Sequence, residues 1–443
     1  MHTLNRTAAA PVESGPRVTR RTVVAAALGN GLEFFDFTVY SFFAALIGKL
    51  FFPASSDVGA LMLSLATFGV GFVARPLGSV AIGAYADRAG RKPALVLTVA
   101  LMALGTGIIG FAPTYAQIGI AAPLLIVIGR LLQGFSAGGE VGAATTLLME
   151  SGDTGRRGER VSWQMASQGG ATLVGAFVAL TLSRALPPDA LHAWGWRVPF
   201  VLGLLIGPVG FYLRRHLDDT LPHAAAGAPR ERARIPWRQV AAGTLLVIGG
   251  TSTTYTIVFF LPSFLTLTVG MPASVSLLSG CAAGAVLLIG SPFAGRLADR
   301  VRRRKRLVGV TCVASAVLVL PAFYAMKMWP SAGTAVAVVI VLIGLMTLSS
   351  PAGFVMILDA FRPEVRAMSL GMIYALGVTI FGGFAQLICA GMQRRESGRS
   401  GAVRGSVRRG RQAVNGRGGH VTCPPWGWCA RRTDGRGLSV HRA

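Results

Sequence analysis

Charge is scarce in this chain. Only 14% of its 443 residues are charged against 52% hydrophobic, and the mean hydropathy is +0.56. That balance excludes a water-soluble globule. Acids are the scarcest charges, 18 against 43 basic residues, which leaves a net charge of +25. Such an excess invites a nucleic-acid reading. The basic residues gather in alternate loops, however, as the positive-inside rule produces, so no nucleic-acid partner is expected. Cysteine is little used. Cys281, Cys312, Cys389, Cys423 and Cys429 show no C-x-x-C spacing, and the first three lie in apolar runs, so neither a disulfide framework nor a zinc site follows. No metal-ligand cluster, nucleophile motif or phosphate-cradling loop stands out, which argues against an enzyme and gives no metal or organic cofactor to expect. The residues up to Thr19 are too poor in apolar side chains for a secretory signal, so the first span should stay in the membrane.

Long apolar runs are what the chain does have. The hydrocarbon core needs ~20 residues of helix to cross. Runs of that order recur at about 22–47, 58–82, 94–112, 119–148, 162–186 and 195–213, and again at about 238–261, 273–297, 307–326, 331–358 and 367–391. The fold class expected is an all-α polytopic membrane protein of about eleven helices. Its organisation reads as a cytoplasmic N-terminal segment (1–21), a six-helix half (22–213), a cytoplasmic linker (214–237), a five-helix half (238–391) and an Arg/Gly-rich tail (392–443). The tail lacks apolar periodicity. It reads as an out-of-frame translation of GC-rich DNA or a disordered segment, standing where a further helix is expected; the rival is a natural Arg/Gly tail.

A short charged turn organises the rest. Gly83-Ala84-Tyr85-Ala86-Asp87-Arg88-Ala89-Gly90-Arg91-Lys92 separates two apolar runs, and a degraded copy returns as Gly295-Arg296-Leu297-Ala298-Asp299-Arg300-Val301-Arg302-Arg303-Arg304. One charged hairpin repeated between helix pairs describes a molecule built from two related halves. Asp87 can accept from helix-terminal N–H groups across the boundary between halves. Arg88, Arg91 and Lys92 can pair with acids such as Glu150. Such contacts exist in one access state only, so the loop is a candidate latch, with Gly83, Asp87, Arg88, Gly90 and Arg91 in the first copy and Asp299 and Arg300 in the second. Arg302, where a glycine is expected, should weaken the second copy.

Charged side chains inside apolar spans cost several kcal/mol unless paired or wetted, which makes them functional candidates. Glu33, Asp36 and Tyr40 share one face of the first span at i, i+3 and i+7. Two acids there can share or relay a proton; the alternative is a structural pair with a nearby Arg. Arg75 lies twelve residues before Asp87, about 18 Å from the turn at 1.5 Å per residue, near the midplane. It can hold a carboxylate bidentately, or pair with Glu33 or Asp36. Arg130, Gln133, Ala137 and Glu140 share a face of the fourth span, beside a packing stripe of Gly134, Gly138 and Gly142. Arg130 is read as drawing in substrate or tuning Glu140. Tyr255 follows a hydroxyl cluster, Thr251 to Thr254, that can bond either a polar substrate or the helix backbone.

The repeated loop resembles that of the major facilitator transporters. Gly29 to Phe37, Ala74-Arg75-Pro76-Leu77-Gly78, Gly129 to Glu140, Trp194 to Phe200 and Phe381-Gly382-Gly383-Phe384 together resemble their metabolite:proton symporter branch. Arg130 to Ala137 and Ala242 to Val247 look most like the citrate–proton symporters. The resemblance implies two six-helix halves, alternating access and inward proton symport of a polar metabolite. The expected cargo is citrate, another di- or tricarboxylate or an alpha-ketoglutarate-like acid. Shikimate or an osmolyte such as proline or betaine is the alternative, and an inactive truncated transporter the third. On this reading Glu33, Asp36 and Glu140 exchange protons, and Arg75, Arg130, Tyr40, Gln133 and Tyr255 contact substrate. The driving force is the proton gradient. The partners are a small anionic metabolite, a proton and the bilayer. A multi-pass monomer of the inner membrane, N-terminus cytoplasmic, is expected.

Overall fold

The computed structural model describes residues 20–89, 91–150, 154–215, 236–392, 421–422, 428–432 and 438–442. The N-terminal segment up to 19, most of the linker, Gly90 and most of the tail lie outside them, as do the side chains of Asp87, Arg88, Arg91, Lys92 and Glu150 and the surroundings of Gly83.

Every expected span coincides with helix. The first half runs α1 (Arg20–Phe42), α2 (Ala44–Phe51), α3 (Asp57–Ala89), α4 (Arg91–Phe111), the single turn α5 (Tyr115–Ile118), α6 (Ala121–Gly138), α7 (Glu140–Glu150), α8 (Arg157–Ala185), α9 (Pro188–Ala193) and α10 (Val198–Arg215). The second half runs α11 (Trp237–Thr254), α12 (Leu261–Phe264), α13 (Ala273–Arg300), α14 (Arg304–Met328), α15 (Ala332–Asp359) and α16 (Pro363–Val378). Among the described residues seven helices are long and apolar enough to cross a membrane, and eight if α1 and α2 count as one. That first span is not the straight helix expected. Its two parts, Gly29–Phe42 and Ala44–Phe51, meet at 68°. The fourth span is interrupted at Gly139, between α6 and α7.

The second half is less regular. Tyr255–Phe260, Leu265–Val269 and Thr379–Gly383 are π-helical. A π turn carries one extra residue and re-aims those beyond it, often at functional positions. Two of the three face α3. Phe72 meets the Tyr255 ring at 5.5 Å, and its carbonyl accepts from the Thr379 hydroxyl at 3.0 Å.

Small residues set how near the helices come. A Cβ on Gly134 would collide with the Gly71 carbonyl, and one on Gly138 with the Arg75 carbonyl, so α3 and α6 lie backbone to backbone. This is the expected glycine stripe, with α3 as its partner. Between the halves α8 packs along α13, where a Cβ on Gly158 would stand 2.6 Å from the Gly295 carbonyl. Asn30 ties α1 to α8 through Gln164 and Ser167, donating at 3.0 and 2.7 Å.

The tail separates as a second compact unit, residues 388–443. Its described strands β1 (Val421–Thr422), β2 (Trp428–Arg432) and β3 (Leu438–Arg442) pair antiparallel in that order, outside the all-α membrane fold.

Candidate functional site

The two intramembrane arginines are among the most deeply buried large side chains described, Arg75 at 1% and Arg130 at 0% exposure. Glu33, Asp36, Tyr40, Gln133, Glu140 and Tyr255 are buried as well. The structure assembles these eight expected residues into two linked groups and one cavity.

In the first group Arg75 Nη2 donates to Glu33 Oε1 at 3.1 Å, which is the structural pairing weighed for it. The guanidinium lies over the Phe72 ring at 4.0 Å and near the Phe37 ring at 4.9 Å. Tyr255 and Tyr374, from the second half, stand within electrostatic reach of Arg75. Stacking on aromatic faces suits guanidinium, whose planar cation is weakly hydrated.

In the second group Arg130 Nη1 donates to Gln133 Oε1 at 2.9 Å, and Gln133 Nε2 donates to Asp36 Oδ2 at 3.1 Å. The Thr106 hydroxyl donates to that same carboxylate oxygen in a short contact. Arg130 sits over the Tyr40 ring at 3.7 Å. The Tyr40 hydroxyl donates to the Ser64 carbonyl at 3.1 Å, which locks the ring that Arg130 uses. Asp36 and Arg130 thus communicate through an amide. Glu33 and Asp36, though neighbours on α1, are committed to different partners on α3 and on α4 and α6.

Donors and acceptors are left over. Arg130 Nε and Nη2 and Asp36 Oδ1 make no hydrogen bond among the described residues, and Arg75 Nε and Nη1 make none of good geometry, although the Tyr255 and Tyr374 hydroxyls stand close to that guanidinium. A buried polar group without a partner costs about 1–3 kcal/mol, and more when charged, so leftover guanidinium N–H groups mark a place for an anion. A small cavity of about 30 Å³ opens inside the first half, lined by Glu33, Asp36 and Glu140 with the hydroxyl residues Thr98, Thr106 and Ser136. That is room for about one water. The three acids expected to exchange protons share this cavity.

A third cluster lies at the end of the halves that carries the basic loops. Asp299, at the end of α13, accepts from the backbone N–H groups of Gly158 at 2.7 Å and Glu159 at 2.9 Å, in the first turn of α8. A carboxylate there meets the positive end of a 29-residue helix. Ion pairs flank it: Arg296 with Glu159 at 2.8 Å, Arg157 with Asp359 at 2.9 Å and Arg304 with Asp359 at 3.5 Å. The second copy of the loop therefore makes the cross-half contact expected of Asp87. Arg302 is exposed in the turn after α13, and both oxygens of Asp299 point at α8. Arg300 is exposed and joins none of these pairs.

The sequence pattern of the Major Facilitator Superfamily matches residues 26–386. The chain belongs to that superfamily. It is a transporter and not an enzyme. Among curated relatives, a citrate-proton symporter of Klebsiella pneumoniae is 38% identical over 366 residues, 81% of this chain and 82% of that protein. An alpha-ketoglutarate permease of Escherichia coli is 32% identical over 384 residues, covering 85% and 88%. A proline/betaine transporter of Escherichia coli is 34% identical over 321 residues, covering 69% and 64%. A solved D-xylose-proton symporter shares the fold with a TM-score of 0.67 at 17% identity, over 84% of this chain and 89% of that one. The major facilitator fold expected from the sequence is the fold observed.

Within this facilitator several site residues escaped sequence reasoning. Thr106 sits in an unbroken apolar run, and only its period relative to α6 would reveal it. Phe37, Phe72 and Ser64 look like ordinary span residues. Tyr374 is a single tyrosine in the apolar stretch of α16.

Proposed function

We propose that this chain is a proton-coupled symporter that imports a small carboxylate by alternating access in the bacterial inner membrane. The observation that carries the reading is the pair of buried guanidinium groups, each with unpaired N–H donors and each stacked on aromatic rings near the junction of the halves. Two fixed cations suit a substrate with more than one carboxylate. The citrate and alpha-ketoglutarate relatives support that class. A zwitterionic osmolyte is the second reading, favoured by the proline/betaine relatives and by the aromatic cluster, which resembles a cage for a quaternary ammonium. Here, however, those aromatic faces are already covered by Arg75 and Arg130, which leaves an anion site rather than a cation cage.

Coupling follows from the Arg130–Gln133–Asp36 chain. With Asp36 ionised, its charge reaches Arg130 through the amide and weakens the pull on an incoming anion. With Asp36 protonated, the field of Arg130 is released for substrate. Proton and anion therefore favour each other's binding, and the coupling is reciprocal. The cavity beside Asp36 gives the proton an approach from within the first half, apart from the substrate. Asp299 on the α8 N-terminus holds the basic-loop end of the halves together, so unloading there requires that contact to break. Labelled-citrate uptake into proteoliposomes tests the reading: it should require an inward proton gradient and be competed by tricarboxylates. Uptake that persists after the gradient is collapsed overturns the coupling, and competition by betaine but not by carboxylates overturns the substrate class.

A further inference from the structure

The turn after α13 and the first turn of α14 carry five basic residues in succession, Arg302-Arg303-Arg304-Lys305-Arg306. Among the described residues only Arg304 of the five has a side-chain partner. It bonds the Ala298 carbonyl at 3.0 Å and faces Asp359 and Asp299 at 3.5 and 3.8 Å. Arg302, Arg303, Lys305 and Arg306 are exposed and have no acidic partner among the described residues. Elsewhere on the same end, Arg157 and Arg296 each have one. The unpaired cations do not fan out into solvent independently. With Val301, Met356 and Asp299 they line one cleft of about 740 Å³. In the internal repeat Arg302 replaces the glycine found at position 90 of the first copy, which adds a charge where the copy has no side chain.

The helix that follows is the most lipid-exposed of the described spans. Only 11% of the apolar window of α14 is buried. Val310, Val313, Val317 and Leu320 form one outward face, each more than 60% exposed. The cleft therefore stands at the head of an apolar face that runs along the hydrocarbon. A loop that only signals orientation needs its charges, but neither a shared cleft nor that face below it. An anionic headgroup with two acyl chains needs both.

We propose that this cleft binds the phosphate headgroup of an anionic phospholipid, with Arg302, Arg303, Lys305 and Arg306 around the phosphate and the acyl chains along the exposed face of α14. Charge complementarity sets the class of ligand, since basic residues beside a membrane attract anionic lipid. A free phosphate shares the headgroup chemistry but makes no use of the α14 face. The bound lipid lies next to Arg304 and so to the Asp299 contact with α8.

Native mass spectrometry of the full chain in neutral detergent tests this, with phosphatidylglycerol and phosphatidylcholine of matched chains as probes. The wild type should retain phosphatidylglycerol preferentially, and added salt should erase the preference. Each cation neutralised in the series R302G, R303Q, K305Q and R306Q should weaken retention by roughly fivefold, with phosphatidylcholine unaffected. The charge-keeping variant R302K/R303K/R306K should behave as wild type. Equal retention of the two lipids by the wild type overturns the proposal, independently of how any variant folds. So does unchanged phosphatidylglycerol retention in the neutralised series, or displacement of the lipid by inorganic phosphate at equal concentration.

Discussion

Gln133 stands between Arg130 and Asp36, accepting from the guanidinium at 2.9 Å and donating to the carboxylate at 3.1 Å. An amide in that position has a direction: its oxygen is turned to the cation and its nitrogen to the anion. Gln133→Leu keeps the volume and removes both bonds, together with the one Gln133 donates to the Thr106 hydroxyl at 3.0 Å. A hydrogen bond to a charged group contributes about 1.5–3 kcal/mol, so initial uptake in proteoliposomes should fall about 10- to 100-fold while the folded protein persists. Unchanged uptake would remove Gln133 from the coupling chain.

Asp36 sets the sign of the pH dependence. If the proton loads on Asp36 before substrate is carried, wild-type uptake rises as the outside pH falls and declines as that carboxyl ionises. Asp36→Asn fixes the protonated form and should flatten the pH profile, leaving exchange of substrate across the membrane intact. A profile as steep as wild type in this variant would move the proton site to Glu33 or Glu140, the other acids of the same cavity.

Arg75 and Glu33 separate binding from stability. Arg75→Lys retains the charge but loses the planar fork that both pairs with Glu33 at 3.1 Å and lies over Phe72 at 4.0 Å. The apparent KM for a carboxylate should rise about tenfold or more. Glu33→Gln instead strands a buried cation, a change that typically costs about 3–5 kcal/mol. It should show first as a lowered unfolding midpoint.

Gly158 is the position through which the Asp299 contact can be forced. An added Cβ would sit 2.8 Å from Asp299 Oδ1 and 2.6 Å from the Gly295 carbonyl. Gly158→Ala should therefore part α8 from α13 at the basic-loop end. Cysteine-labelling rates at that end should rise by about tenfold, equivalent to about 1.4 kcal/mol in the access equilibrium. Labelling at the wild-type rate would show that the contact does not limit opening.

The tail yields a prediction about the gene. The family pattern stops at residue 386, a separate unit begins at 388, and the composition turns to Arg and Gly after Met392. Resequencing from about codon 380 should reveal a frame that continues in mostly apolar residues. Confirmation of the frame as written would make 392–443 a genuine Arg/Gly segment.

The spans were legible because the bilayer imposes a length that composition alone reveals. Arg75, Arg130, Glu33, Asp36 and Glu140 were legible because charge in an apolar run is conspicuous. Their partners were not. Whether Arg75 turns to Glu33 or to Asp36 depends on the rotation of α3 against α1, which the glycine contacts of α3 with α6 fix and no single-helix pattern encodes. The π turn at Tyr255–Phe260 was equally hidden, since a run read at 3.6 residues per turn gives no sign of one that holds an extra residue. The cross-half contact was legible as chemistry, an acid of the repeated loop meeting helix-terminal N–H groups; that Asp299 would meet the Gly158 and Glu159 amides was not, because that depends on how α13 packs along α8.

The contact of Gly71 with Gly134 and of Arg75 with Gly138 makes α3 and α6 one solid piece. Arg75 stands on one member of that piece and Arg130 on the other. On the alternating-access reading their spacing is a fixed gauge, carried unchanged while the opposite half swings past. On the carboxylate reading, cargo is measured by the distance between its charged ends, and the same measurement applies at entry and at release.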